Sequence, residues 1–210
     1  NISWASLTKE QAVQLAKEAV ETLAPRLQNE ILLSSNRHAY IKQKLERIIG
    51  RASIILSEHA KVSGFSPVGL ELSFGPKSEL PPLTFRLRNG TKMQLVGRID
   101  RVDKAEDDSG VYLRVVDYKS SARELNLGEV YYGLSLQTLT YLDIIISYSN
   151  ALIGTEATPA GVLYFHVHNP MINAKGVLTS EEIEKKILED FRMNGLILAE
   201  ENAIRLMDLQ

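Results

Sequence analysis

The sequence predicts an α/β fold, a mixed sheet flanked by helices with a helical segment in front of it. Three observations carry that expectation. Apolar residues recur at helical spacing as far as residue 62, alternate with polar ones from Pro67 to Lys119, and return to helical spacing beyond Gly133. The later helical stretch separates two strand-like runs, which suggests a crossover connection and hence a mixed sheet with helices on its faces. Lastly, 210 residues with 44% apolar and 24% charged composition suffice for one globular domain, or for a compact core with a helical appendage. The change of period places the division between a helical segment, 1–64, and a core with C-terminal helices, 65–210.

The helical segment opens on Thr8-Lys9-Glu10-Gln11, a capping-box pattern with Thr at the cap and Gln three residues on. Ala12, Val13, Leu15, Ala16, Ala19, Val20 and Leu23 follow at helical spacing, and Pro25 kinks or ends that helix or opens the next. A second helix from about Asn36 carries Tyr40, Ile41, Leu45, Ile48, Ile49, Ala52, Ile55 and Leu56 on one stripe, read as core packing. Ser63 to Pro67 is a breaker cluster.

Leu70, Leu72 and Phe74 then alternate with Glu71 and Ser73 as a strand. Leu83 to Arg88 is a second, Asn89-Gly90 a two-residue hairpin signal, and Met93 to Val102 the returning partner. Asp107 to Gly110 makes another turn before the strand Val111 to Lys119, so an antiparallel meander of three or four strands is expected. Gly133 to Ser147 reads as a helix that is apolar over most of its circumference, Gly161 to His168 as a strand, and Thr179 as the cap of a mixed-charge helix reaching about Met193. A further helix toward the C-terminus completes the expected order.

The net charge of −2 argues against coating nucleic acid by charge alone, yet leaves room for a localised basic face. Arg37, Lys42, Lys44, Arg47 and Arg51 cluster on the second helix and read either as a solvated face or as a phosphate-contacting one. Zero Cys excludes a disulfide framework and any thiolate-bound zinc or iron–sulfur site within these residues. No run approaches the roughly 18 apolar residues of a membrane span, so no membrane association is expected. The start NISWASLTKE lacks the basic-then-apolar order of a secretory signal. It also lacks an initiator Met, which suggests an excised piece of a longer protein; a cytoplasmic location is compatible with these features.

The chemistry concentrates in VGRIDRVDKAEDDSGVYLRVVDYKSS, residues 96–121. Alternation puts Asp117 and Lys119 on one strand face, about 7 Å apart. Pairing of the strands through the intervening turn would bring Asp100 beside Asp117. Two carboxylates at that range repel, and keeping both ionised requires a cation. Mg²⁺ prefers oxygen ligands with retained waters. It would acidify a water and neutralise charge on a phosphate oxygen, while Lys119 adds positive charge where an oxyanion develops. On spacing alone, the same Asp-x-Lys reads sooner as a surface ion pair.

Three segments occur in order: GRIDRVD (97–103), VVDYKSS (115–121), and a helix running from Gln137 to Tyr141. Together they resemble the RecB-like branch of the PD-(D/E)xK nucleases, whose motifs Gly-x-x-Asp-Arg-x-Asp, Asp-Tyr-Lys-(Ser/Thr) and Gln-x-x-x-Tyr fall on strand, strand and helix. The segments LSEHAKVSGFSPVGLELSFG (56–75) and GEVYYGLSLQTLTYLDI (128–144) narrow the likeness to the C-terminal nuclease domains of the AddB family of helicase–nuclease subunits.

The resemblance implies a restriction-endonuclease-like core that uses Mg²⁺ or Mn²⁺. Asp100 and Asp117 would ligate the metal with the Tyr118 carbonyl, and Lys119 would assist the attacking water. Glu71 would touch the site through a water. Gln137 and Tyr141, one turn apart on a helix, would position the lysine or the DNA, or else form a packed helix face. Arg98 and Arg101 would hold phosphates or form structural ion pairs. The implied activity is exonucleolytic cutting of DNA, of the 5′-ended strand, during double-strand-end processing for recombinational repair. The implied partners are an AddA-like helicase–nuclease subunit and the single strands a helicase delivers.

Two departures bear on these expectations. The family's metal-ligating His, in a Gly-x-x-x-His context, matches none of His38, His59, His166 or His168. It is expected before residue 1, with His59 the spare candidate and His166 and His168 as strand residues on one face. The family's iron–sulfur cluster, held by Cys, is expected outside this chain. The rival reading is a nuclease fold kept as a non-catalytic module for DNA binding or subunit contact; the intact Asp100, Asp117 and Lys119 set speaks against it.

Overall fold

A computed structural model describes residues 3–121, 125–171 and 176–209. In chain order the helices are α1 (Lys9–Leu23), α2 (Asn36–Val62), α3 (Leu127–Tyr131), α4 (Gln137–Ser147), α5 (Ser149–Ile153), α6 (Ser180–Asp190) and α7 (Glu201–Met207). The strands are β1 (Ser66–Phe74), β2 (Leu83–Arg86), β3 (Lys92–Leu95), β4 (Gly97–Asp107), β5 (Gly110–Lys119), β6 (Thr158–His166) and β7 (Asn194–Ile197). The chain groups into two compact units, Asn1–Val62 with Val167–Arg192, and Ser63–His166 with Met193–Gln210. This differs from the expected 1–64 and 65–210, because the segment carrying α6 groups with the N-terminal helices. Long-range pairs such as Lys9 Nζ to Glu184 Oε1 at 2.8 Å and Arg51 to Asn169 at 3.0 Å fall within that unit, and neither leaves a periodic trace in sequence.

In the first unit, α1 begins at a reciprocal capping box: the Gln11 amide donates to the Thr8 hydroxyl, and the Thr8 amide to the Gln11 side chain. Its buried residues, Ala12, Ala16 and Val20, are small, and α2 faces α1 with Gly50; a Cβ there would lie 3.6 Å from Val13 Cα. After α1, Pro25 sits in a 3₁₀ turn, Ala24–Arg26, as its fixed φ allows. Only the second half of the expected α2 stripe is core: Ala52, Ile55 and Leu56 are buried, while Tyr40 is 59% exposed. The Thr179–Glu182 capping box starts α6 as expected.

The second unit holds a five-stranded sheet in the order β1-β4-β5-β6-β7. β1/β4, β4/β5 and β6/β7 pair antiparallel; β5/β6 pair parallel across the helical crossover. The sheet is therefore mixed, as the sequence predicts. The simple meander is corrected: β2 and β3 pair only with each other as a separate two-stranded sheet, and β1 pairs directly with β4. The expected strand 93–102 breaks in front of Gly97, where a Cβ would stand 2.8 Å from the Phe74 ring. The expected helix from Gly133 begins at Gln137. Gly133 (φ +75°) instead closes α3, with Leu134 N–H donating to the Glu129 carbonyl at 2.8 Å. Beyond α6, the structure adds strand β7 before the C-terminal helix.

One face of this sheet packs Val102, Leu113, Val115 and Val162 against Tyr141, Ile144 and Ile145 of α4. The other joins Phe65, Ala105, Tyr112 and Ala160 to Ala203 of α7. Among the described residues, no helix is long and apolar enough to cross a membrane.

Candidate active site

The registers of three strands bring Glu71, Asp100 and Asp117 to neighbouring backbone positions. Leu70 pairs with Arg101 and Leu72 with Ile99, which sets Glu71 opposite Asp100. Arg101 pairs with Val116, and the next step of that ladder sets Asp100 opposite Asp117. Asp117 in turn pairs with Tyr164 on β6. Neighbouring strands run about 4.8 Å apart, so Asp100 and Asp117 are adjacent at the sheet end where β5 and β6 finish.

Asp117 is 3% exposed. Its Oδ2 forms an ion pair with Lys119 Nζ, two residues on along the same face, and that ammonium lies 5.7 Å from the Tyr164 ring centroid. Asp100 is half-buried and accepts the Tyr118 amide at Oδ2, 2.9 Å. Gln137 Nε2 donates to the Tyr141 hydroxyl at 2.8 Å, so these two share a face and a hydrogen bond. Tyr141 is buried against Phe74 (ring centroids 5.8 Å), whereas Gln137 is exposed. Glu71 adopts φ +53°, in the left-handed region, and its exposed carboxylate meets Arg98 Nε at 2.7 Å.

Both arginines of the first motif are thus in ion pairs. Arg101 is 3% exposed and reaches Asp103 at 2.6 Å, and Arg114 reaches the other oxygen of Asp103 at 3.0 Å. Burial pulls the Arg114 guanidinium below its ordinary pKa against the opposing effect of Asp103. Burial acts the same way on Arg101, but the charge and hydrogen bond of Asp103, with support from Tyr118, outweigh it and leave the pKa raised. Tyr118 therefore joins both faces of the strand, its amide to Asp100 and its side chain to Arg101.

Two neighbours on β6 come to the site through strand pairing. The Tyr164 hydroxyl shares a 2.9 Å hydrogen bond with Thr138 of α4, tying β6 to α4 beneath Lys119. His166 pairs in register with Lys119 and ends β6. Only the parallel register, which pattern reading does not supply, brings them to the site. His168 lies beyond β6, in the other unit, with its Nε2 2.7 Å from Asp190 and its ring 4.6 Å from Phe191; the two histidines do not share a sheet face as expected.

Among the described residues no three His, Cys, Asp or Glu side chains converge on one point. Two adjacent carboxylates beside backbone oxygens still suit a hard cation that keeps several waters, as Mg²⁺ does, and suit poorly a metal that needs a closed nitrogen or sulfur cage.

Known proteins resemble this chain over nearly its whole length. The chain is 63% identical over 205 residues to an ATP-dependent helicase/deoxyribonuclease subunit of Bacillus pumilus (strain SAFR-032), covering 98% of this chain and 18% of the relative. It is 60% identical over 207 residues to the subunit of the same name from Bacillus subtilis (strain 168), and 57% over 211 residues to that of Geobacillus thermodenitrificans (strain NG80-2). These cover 99% and 100% of this chain, and 18% of each relative. The chain thus spans less than a fifth of the length of the curated relatives it matches. With the PD-(D/E)XK nuclease superfamily matching residues 4–203, nearly the whole length, the chain belongs to that superfamily.

Proposed function

We propose that this chain is a metal-dependent deoxyribonuclease domain that works within a helicase–nuclease and trims DNA double-strand ends for recombinational repair. The observation that carries this is the register that sets Asp100 beside Asp117, with the Lys119 ammonium on the same face and paired to Asp117. The names of the relatives supply the helicase context and DNA as the polymer.

Asp100 and Asp117 would hold Mg²⁺ or Mn²⁺ with the Tyr118 carbonyl. Such a cation supplies polarisation of a phosphate oxygen and acidification of a water. Lys119 stabilises the charge that develops on the phosphate as water attacks phosphorus. Its tie to Asp117 fixes the ammonium before substrate arrives, so no reorganisation is required at the moment of reaction. The exposed Gln137 amide, braced by Tyr141, positions a DNA oxygen or the lysine. The water oxygen forms the new bond to phosphorus, the P–O3′ bond breaks and the departing oxygen takes a proton, leaving 3′-hydroxyl and 5′-phosphate ends.

The strand cut is the 5′-ended one, fed single-stranded by a motor outside this chain, with an AddA-like subunit as partner and the cytoplasm as location. Any iron–sulfur cluster would be held by residues outside this Cys-free chain. Asp117→Ala in the full complex is expected to abolish cutting of that strand while DNA unwinding persists. Undiminished cleavage of both strands would overturn the assignment.

A further inference from the structure

The β2–β3 hairpin carries charge that the site does not use. Residues 75–96 hold Lys77, Arg86, Arg88 and Lys92 against a single acid, Glu79, in a chain whose net charge is −2. Arg86 and Lys92 face each other directly across the two strands, and both are exposed. Like charges directly opposite on a ladder destabilise it. No carboxylate lies within ion-pair distance of Arg86, Arg88 or Lys92 among the described residues.

The ribbon is nevertheless ordered. Leu87 N–H donates to the Thr91 carbonyl at 2.9 Å, Gly90 N–H to the Leu87 carbonyl at 2.8 Å, and Thr91 N–H to Asn89 Oδ1 at 3.0 Å. Gly90 takes the φ of +83° that the turn demands. Leu83 and Leu95 form one cross-strand pair, Phe85 and Met93 another on the same face, and Leu83 packs on the main core. The alternate face, with Thr84, Gln94, Arg86 and Lys92, is consequently turned away from that core.

The hairpin also leaves the sheet where the chemistry lies. It joins the end of β1, at Phe74, to the start of β4, at Gly97, three residues before Asp100. Lys92 is eight residues from Asp100, at most ~29 Å of extended chain.

We propose that the β2–β3 hairpin is a phosphate-backbone guide, with Arg86, Arg88 and Lys92 gripping the DNA strand as it reaches the site. This rests on the nuclease reading above. The grip is electrostatic and indifferent to sequence, since cations on phosphate position a strand without reading its bases. Phosphates lying between Arg86 and Lys92 would offset the repulsion of that opposed pair.

The test is a triple substitution, Arg86→Ala/Arg88→Ala/Lys92→Ala, in the full-length protein, with cleavage measured against DNA concentration at several salt concentrations. Three phosphate contacts on a single strand contribute a log–log salt slope of about 2. Between roughly 50 and 200 mM salt the wild-type KM should therefore rise about 15-fold more than that of the alanine variant. The change should fall on KM rather than on kcat. A charge-retaining variant, Arg86→Lys/Arg88→Lys/Lys92→Arg, should keep the wild-type slope, which separates charge from any loss of fold. An unchanged salt slope in the alanine variant overturns the proposal, as does a charge-retaining variant that behaves like it. Loss of subunit assembly with the DNA slope intact would assign the face to a protein and likewise overturn it. Asp117→Ala, run in parallel, separates the two readings. If it abolishes cutting while the hairpin variant leaves the slope unchanged, only the hairpin inference fails; if it leaves cutting intact, the nuclease reading fails.

Discussion

Asp117 is a carboxylate held almost out of water with an ammonium against one oxygen, and the role proposed for Lys119 follows from that pairing. An ammonium cannot ligate a cation, but it can stabilise charge that appears during reaction. Lys119→Ala should therefore leave metal affinity near normal and lower single-turnover cleavage at saturating metal by about 10²–10³-fold, the usual effect of removing one preorganised donor. A loss confined to metal affinity, with the chemical step untouched, would contradict that role. Behind the site, Asp103 serves two buried guanidiniums at once, its side chain 0% exposed. Asp103→Ala would strand both cations in the sheet, and breaking such a buried pair costs about 3–5 kcal/mol. Urea denaturation should show that loss as a lower midpoint; a change below about 1 kcal/mol would mean that water reaches the pair.

At the scale of elements, the edge strand β7 depends on a close approach. A Cβ on Gly195 would stand 2.0 Å from the Val162 carbonyl oxygen and 2.9 Å from Leu163 Cα, both backbone atoms that cannot turn aside. Gly195→Ala should therefore unseat β7 from β6 while β1, β4, β5 and β6 stay paired. Hydrogen exchange is the measurement: amides of residues 194–197 should lose protection and those of β5 keep it. Equal protection in variant and wild type would refute it. The site end of the sheet lies on β4, β5 and β6, so cleavage should suffer less than stability does.

For the molecule as a whole, a cation held by Asp100 and Asp117, as proposed, should make stability respond to metal. A cation that binds only the folded chain stabilises it by about 1.4 kcal/mol at roughly ten times its dissociation constant. For a chain of this size that corresponds to a rise of roughly 3–6 °C in melting temperature. Asp100→Asn removes one charge of the adjacent pair. It should raise the metal-free melting point slightly by relieving repulsion, and erase most of the metal-induced rise. Thermal melts of both proteins across a Mn²⁺ titration test this, and equal responses would place the cation elsewhere. Folding itself should not need metal, because both faces of the sheet are closed by apolar side chains of α4 and α7.

The sequence by itself determined the fold class, the two capping boxes and the shared strand face of Asp117 and Lys119, because each is written in local periodicity or short spacing. Helical and strand periods differ, a capping box spans four residues, and Asp-x-Lys shares a strand face whatever the partners are. Only tertiary structure decided the rest. The separate β2–β3 ribbon, the late start of α4 and the strand β7 turn on Gly97, Gly133 and Gly195, whose effect depends on what packs against them or on how the adjoining element ends. Likewise Arg98 and Arg101 looked alike beside Asp100, yet one stays exposed with Glu71 and the other is buried with Asp103. A strand's neighbours on either side, not its own sequence, settle which charges meet water and which must find a partner within the sheet.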